Sequence, residues 1–253
     1  MNPTAVFQGL KLRGGVDLRG RGTAGMVDND SDRMLGRRTL LAGTGAAVMT
    51  ALSGCVGDVV DAGDEVRETR VEQFDAADLA ALSVDTPNGR IHVEGEDRET
   101  IDLRAEKRAG TQQALESATL SVDRADGRLS VSVDVDRSID LDGSTPRVDV
   151  ELTVPSTLRL ARADGVNGDV DVGAVAGDLV AETTNGDVTV SDVDGAVHAE
   201  STNGDVRVED VAGDVAVETT NGDVDVTTVA GDATVDTVTG SVDVADVEGE
   251  VER

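Results

Sequence analysis

The chain of 253 residues contains no tryptophan and no tyrosine, and its only phenylalanines are Phe7 and Phe74. Wide globular cores draw much of their buried area from aromatic side chains. A narrow core of stacked small aliphatic residues needs none, so the composition points to the second kind. Cysteine is confined to Cys55, which excludes an internal disulfide framework. Lysine is confined to Lys11 and Lys107 and histidine to His92 and His198, so positive charge rests almost wholly on arginine. The 22 basic residues face 51 acidic ones, for a formal net charge of -29. Such a surface repels nucleic acid and anionic lipid headgroups, and no nucleic-acid partner is expected.

Of the acidic residues, 35 are Asp and 16 are Glu. Self-repulsion destabilises a compact chain this acidic, but screening shortens its range to roughly 3 Å at 1 M salt. The balance of Asp over Glu and Arg over Lys predicts a host that works in molar salt.

The N-terminus reads as an address. Gly36-Arg37-Arg38-Thr39 opens an uncharged stretch whose 13 residues from Leu40 to Leu52 are too few to span a bilayer. It closes in Leu52-Ser53-Gly54-Cys55. Paired arginines, a short apolar region and small residues before a cysteine form the layout of an export signal. Residues 34–55 resemble a twin-arginine signal peptide ending in a lipobox. The resemblance implies that Cys55 is lipidated and becomes the mature N-terminus, as in an exported lipoprotein of haloarchaeal type. A single acyl chain holds a protein only marginally, so a double-chain lipid is expected. Residues 1–33 are Gly- and charge-rich without periodicity and read as a disordered leader or a mis-assigned start, with Met26 or Met34 as the alternative initiator. The acidic, pattern-free stretch 56–66 reads as a tether.

The body is governed by a repeat. Glycine recurs every nine residues from Gly168 to Gly249, and two residues after each comes an apolar residue: Val170, Leu179, Val188, Val197, Val206, Val215, Val224, Ala233, Val242 and Val251. Two further on stand Val172, Ala181, Val190, Ala199, Val208, Val217, Val226, Val235 and Val244. This is the period-2 alternation of short strands punctuated by turns. Asn167, Asn185, Asn203 and Asn221 precede every second glycine, so the true period is eighteen. The prediction is an all-β protein, a flattened parallel β-solenoid with two strands per coil of about eighteen residues, valines inward and asparagines stacked on one edge. Regular coils are expected over 164–253. Residues 67–163 are predicted as a less regular β-rich first half or cap, with one helix across Thr111 to Ser117.

Val150-Glu151-Leu152-Thr153-Val154-Pro155, then Leu158-Arg159-Leu160, then Asn167-Gly168-Asp169-Val170-Asp171-Val172 carry a family likeness. They resemble the widespread adhesin-type domain of unknown function built from Asn-Gly-Asp repeats. The likeness covers about Val71 to Val251. It implies a β-solenoid fold and brings no catalytic residue and no cofactor with it.

Candidate sites are few. Asp169, Asp187, Asp205 and Asp223 occupy equivalent positions, as do Glu182, Glu200, Glu218 and Asp236. The Asp169 column is a candidate for weak Ca²⁺ binding, since Ca²⁺ takes several oxygens. Each nonapeptide has one glycine rather than the Gly-Gly-x-Gly-x-Asp of dedicated calcium rolls, so a solvated acidic surface is the plainer expectation. The asparagine column is expected to be a structural turn ladder. His198 falls on an outward position beside Glu200 and is expected to be solvent-exposed, with no second histidine or cysteine at hand for a zinc site. No metal, cofactor or catalytic residue is assigned. The function expected is that of a non-enzymatic, lipid-anchored surface protein on the outer face of the cytoplasmic membrane, in adhesion or as an envelope scaffold, with an unidentified surface or envelope partner. A carbohydrate-active β-solenoid enzyme and an accessory or sensor subunit of an envelope-stress system are the alternatives.

Overall fold

The computed structural model describes residues 55–56, 60–62, 65–136 and 145–253. The leader 1–33 and the signal residues Arg37, Arg38, Leu52, Ser53 and Gly54 lie outside the described residues. Two short strands, β1 (Cys55–Val56) and β2 (Val60–Ala62), precede β3 (Glu65–Asp75), β4 (Ala81–Asn88), β5 (Ile91–Glu96) and β6 (Thr100–Ala109). Helix α1 (Gln112–Ser117) leads into β7 (Ala118–Ala125) and β8 (Arg128–Val135). Then come β9 (Arg147–Pro155), β10 (Arg159–Asn167), β11 (Val170–Ala176), β12 (Leu179–Asn185), β13 (Val188–Asp194) and β14 (Val197–Asn203). The chain closes with β15 (Val206–Val211), β16 (Val215–Asn221), β17 (Val224–Val229), β18 (Ala233–Thr239), β19 (Val242–Val247) and β20 (Val251–Glu252).

The strands form a parallel β-solenoid with two faces. One face stacks β8, β4, β10, β12, β14, β16, β18 and β20 in parallel. The other stacks β9, β5, β11, β13, β15, β17 and β19. Every pairing in the repeat region joins residues eighteen apart, such as Val188 with Val206 and Asn185 with Asn203. The predicted coil of eighteen is therefore the coil observed.

The inward residues explain why the sequence folds this way. Leu179, Ala181, Val188, Val190, Val197, Ala199, Val206 and Val208 are at most 2% exposed, because alternate side chains of both strands turn into one seam. Each coil also carries a third inward valine that alternation does not predict: Val175, Val193, Val211 and Val229, all buried. It follows the second by three residues, and the extra residue is Ala174, Asp192, Asp210 or Thr228, with φ of 52 to 56°. This left-handed residue drops out of the pairing, so that Gly173 matches Ser191 and the next match is Val175 with Val193. A bulge of this kind re-aims the following side chain.

The first half departs from chain order. The coil of β4 and β5 is laid down first, yet it lies between β8/β9 on one side and β10/β11 on the other. Residues 67–163 thus hold both coils and cap. The cap consists of antiparallel β6 and β3 on the β9 side and antiparallel β7 on the β8 side. Thr111 caps α1 by accepting the Ala114 N–H at 3.1 Å, and Leu115 seals a small satellite core with Ala109 and Ala114. Part of the expected tether is also sheet: Val60–Ala62 pairs antiparallel with Glu65–Arg67, and Cys55 pairs with Val71. At the other end the last coil is thinly covered, with Val238 77% and Val251 44% exposed.

Candidate functional site

The Asn-Gly-Asp turns form one edge of the stack. Asn185 Nδ2 donates to Asn167 Oδ1 at 2.9 Å, Asn203 to Asn185 at 3.0 Å, and Asn221 to Asn203 at 3.0 Å. Asn88 continues the column, in register with Asn167, although 79 residues separate them in sequence. Glycine is needed here for close approach. A Cβ on Gly186, Gly204, Gly222 or Gly240 would lie 1.9 to 2.2 Å from the carbonyl oxygen of the glycine one coil below.

The aspartates after these glycines are equally committed to the stack. Oδ1 of Asp169, Asp187, Asp205 and Asp223 accepts the backbone N–H of Asp187, Asp205, Asp223 and Ser241, at 2.7 to 3.2 Å. Asp178, Asp214 and Asp232 do the same on the opposite edge. The carboxyl of Asp169 is held below the usual aspartate range, first by the Arg90 guanidinium and then by the Asp187 N–H. One oxygen of each aspartate is thus spent on the backbone rather than offered to a cation. Inside the edge, Thr183, Ser201 and Thr219 are buried and donate to the carbonyls of Gly168, Gly186 and Gly204 at 2.9 to 3.1 Å. The sequence shows these hydroxyls at eighteen-residue spacing, a signal that would have identified the inner ladder.

The outer face of β4, β10, β12, β14, β16 and β18 carries a longer acidic column than the sequence suggested. Asp85, Asp164, Glu182, Glu200, Glu218 and Asp236 are successive register partners. Unit charges at the strand spacing of about 4.8 Å repel by roughly 0.9 kcal/mol in bulk water. Partial desolvation by the surrounding strands, then Asp164 and Asp134, push the carboxyl of Asp85 above the usual range although the residue is exposed at the surface, against the pull of Arg162. Arg162 binds Asp164 and reaches Glu182 at 2.8 Å. Two strands on, His198 Nε2 lies 4.0 Å from Glu200 Oε2, and donor atoms of Glu182, His198 and Glu200 all fall within 4.8 Å of one another.

The outer face of the other sheet bears a hollow of about 800 Å³ whose lining includes Arg90, Arg104, Arg108, Arg147, His92 and Asp149. Its cations are already matched. Arg90 meets Asp169 at 3.0 Å, Arg147 meets Asp149 at 2.8 Å, and Arg108 meets Glu106 at 2.8 Å. Arg104 is the loosest, 4.0 Å from both Glu106 and Glu151 and 57% exposed. Glu94, Glu106, Asp149, Glu151 and Asp171 share this lining, so the hollow is close to neutral on a strongly acidic body.

Among the described residues, no helix is long and apolar enough to cross a membrane. The fold and its edges define a capped β-solenoid of Asn-Gly-Asp coils. The sequence profile of the Toastrack DUF4097 family matches residues 79–251, and the chain belongs to that family. No curated protein matches it. Solved structures that resemble it include a candidate cell adhesion protein from Clostridium sporogenes, at 9% identity and a TM-score of 0.32, over 71% of this chain and 99% of that one. A candidate adhesin from Parabacteroides distasonis aligns at 16% identity and a TM-score of 0.32, over 73% and 96% of the two chains. A candidate lipid binding protein from the same species aligns at 9% identity and a TM-score of 0.30, over 74% and 96%.

Proposed function

We propose that this protein is an exported, lipid-anchored scaffold of the cell surface, serving adhesion or envelope maintenance through its repetitive acidic faces rather than through catalysis. The observation that carries this reading is the polarity of the stack. The backbone of Cys55 pairs with β3, the outermost long strand of the capped end, while the last, thinly covered coil lies at the opposite end. From β3 through β6, β9, β5, β11, β13, β15 and β17 to β19 there are eight strand spacings, or roughly 38 Å. A lipid on Cys55 would tie down the capped end and project the regular coils away from the membrane. The edges repeat every coil, so one weak contact is offered many times, and multivalent engagement turns weak contacts into strong retention.

Cell fractionation tests the anchor. The wild type is expected in the membrane fraction and a Cys55→Ser variant in the soluble one, while replacing Arg37 and Arg38 by lysine retains the protein in the cytoplasm. Wild-type protein shed freely into the medium sinks the proposal. Turnover on a panel of acidic and neutral polysaccharides would favour the carbohydrate-active alternative. A membrane protein that co-purifies in high salt would favour the sensor or accessory role.

A further inference from the structure

We propose that Glu182, His198 and Glu200 form a binding site for a borderline divalent cation of the Zn²⁺ class on the outer face of β12 and β14. The fold brings the three together. Glu182 and Glu200 are register partners on adjacent strands, and His198 stands two residues before Glu200, on the same face. Their donor atoms already lie within 4.8 Å of one another. Small side-chain rotations bring one imidazole nitrogen and two carboxylate oxygens to the distances of about 2.0–2.2 Å that Zn²⁺ takes. The side chains are partly exposed, at 32%, 37% and 47%, so those rotations need no repacking of the core and water can fill the remaining positions. Such a site is open rather than a closed structural centre.

His198 is what separates this site from the rest of the acidic surface. Carboxylates alone suit Ca²⁺ and Mg²⁺, whereas an imidazole beside them suits Zn²⁺, Ni²⁺ and Cu²⁺. No other member of the column has an imidazole next to it. Asp164 and Glu218 flank the three ligands in register, so a dication placed between Glu182 and Glu200 also relieves repulsion along the column. Arg162 is the internal competitor, since it holds Glu182 at 2.8 Å.

Calorimetric titration of Zn²⁺ into the untagged, metal-free full-length protein in molar KCl tests the assignment. One Zn²⁺ per chain is expected to bind, with at least tenfold weaker binding in His198→Ala and none of that loss in His92→Ala. Arg162→Gln, which frees Glu182, is expected to tighten binding about two- to fivefold, the scale of an exposed ion pair. In a proton–nitrogen correlation spectrum, Zn²⁺ should move the imidazole signals of His198 and leave those of His92 in place. Zn²⁺ affinity unchanged in His198→Ala, or equal displacement of Zn²⁺ by Ca²⁺ at matched concentration, would overturn the proposal. Circular dichroism of the three variants confirms that each is folded, which the surface position of all three residues favours.

Discussion

The side-chain amide of Asn203 donates to the amide oxygen of Asn185 at 3.0 Å, while its own oxygen accepts from Asn221 at 3.0 Å. Asn185 and Asn203 are therefore each donor to one coil and acceptor from the next. Asn203→Ala removes both bonds at once and is expected to lower stability by about 1–2 kcal/mol. Asn203→Asp should do more harm in dilute buffer than in molar salt, because it loses the donor and adds a charge beside Asp187 and Asp205. Urea denaturation at two KCl concentrations measures both differences.

Glycine in the same turns is required by distance. A Cβ at Gly204 would lie 1.9 Å from the Gly186 carbonyl oxygen, and backbone on both sides is held by coil-to-coil hydrogen bonds. Gly204→Ala is expected to destabilise the protein by about 3 kcal/mol or more, since only parting the coils makes room. At Gly173 the nearest obstacle is the free end of the Glu94 side chain, at 2.5 Å, which can swing away. Gly173→Ala is expected to stay within about 0.5 kcal/mol of wild type. Equal effects at the two positions would show that the stacking distance does not set the requirement.

The coil period was legible because Asn185, Asn203 and Asn221 repeat at eighteen and differ from the residues before the intervening glycines. Asn88-Gly89 carries the same turn chemistry, but its place beside Asn167 was not legible. A cap of antiparallel strands and α1 intervenes, and pairing across 79 residues leaves no local trace. The inward Val175, Val193 and Val211 were hidden by their spacing of three, which breaks alternation. In the candidate cation site, Glu200 and its neighbour His198 were legible as an adjacent pair. Glu182 joins them only through the register of β12 with β14, and that register follows once a coil of eighteen is accepted. The equivalence of Glu182 and Glu200 is legible in that repeat; that the His198 imidazole lies within 4.8 Å of both carboxylates is side-chain geometry, which the repeat does not encode.

The left-handed residue of each coil offers a route to stabilisation. Asp192, Asp210 and Asp246 tolerate φ near +50°, as short polar side chains do, but Thr228 occupies the same position with φ 56°. A β-branched side chain there is strained. Thr228 is exposed, so its replacement leaves the core untouched. Thr228→Asn is expected to raise stability by about 0.5–1 kcal/mol, and Asp210→Val to lower it by about 1–2 kcal/mol. Thermal and urea midpoints of the two variants, read against the wild type, decide the matter; a neutral Thr228→Asn would mean the bulge relaxes freely.

Asp85 and Asp169 should give the stability curve opposite slopes with pH. Partial desolvation, and then Asp164 and Asp134, raise the Asp85 carboxyl above its unfolded value. The folded protein then favours protonated Asp85, and stability falls as pH rises from the ordinary aspartate range through the raised value. Asp85→Asn is therefore expected to stabilise the protein at neutral pH, with the gain fading once pH drops below the ordinary aspartate range. Asp169 is the reverse case, because Arg90 and the Asp187 N–H lower its carboxyl. Its contribution is present above the unfolded value and is lost as pH falls through the lowered one, so Asp169→Asn should weaken the protein at neutral pH. Raising KCl adds a further discrimination. Screening weakens the repulsion of Asp85 by Asp164 and Asp134 but does not act on its desolvation. Denaturation midpoints across pH at low and molar KCl separate the two. A gain for Asp85→Asn that persists undiminished in acid would show that charge at this position is not its cause.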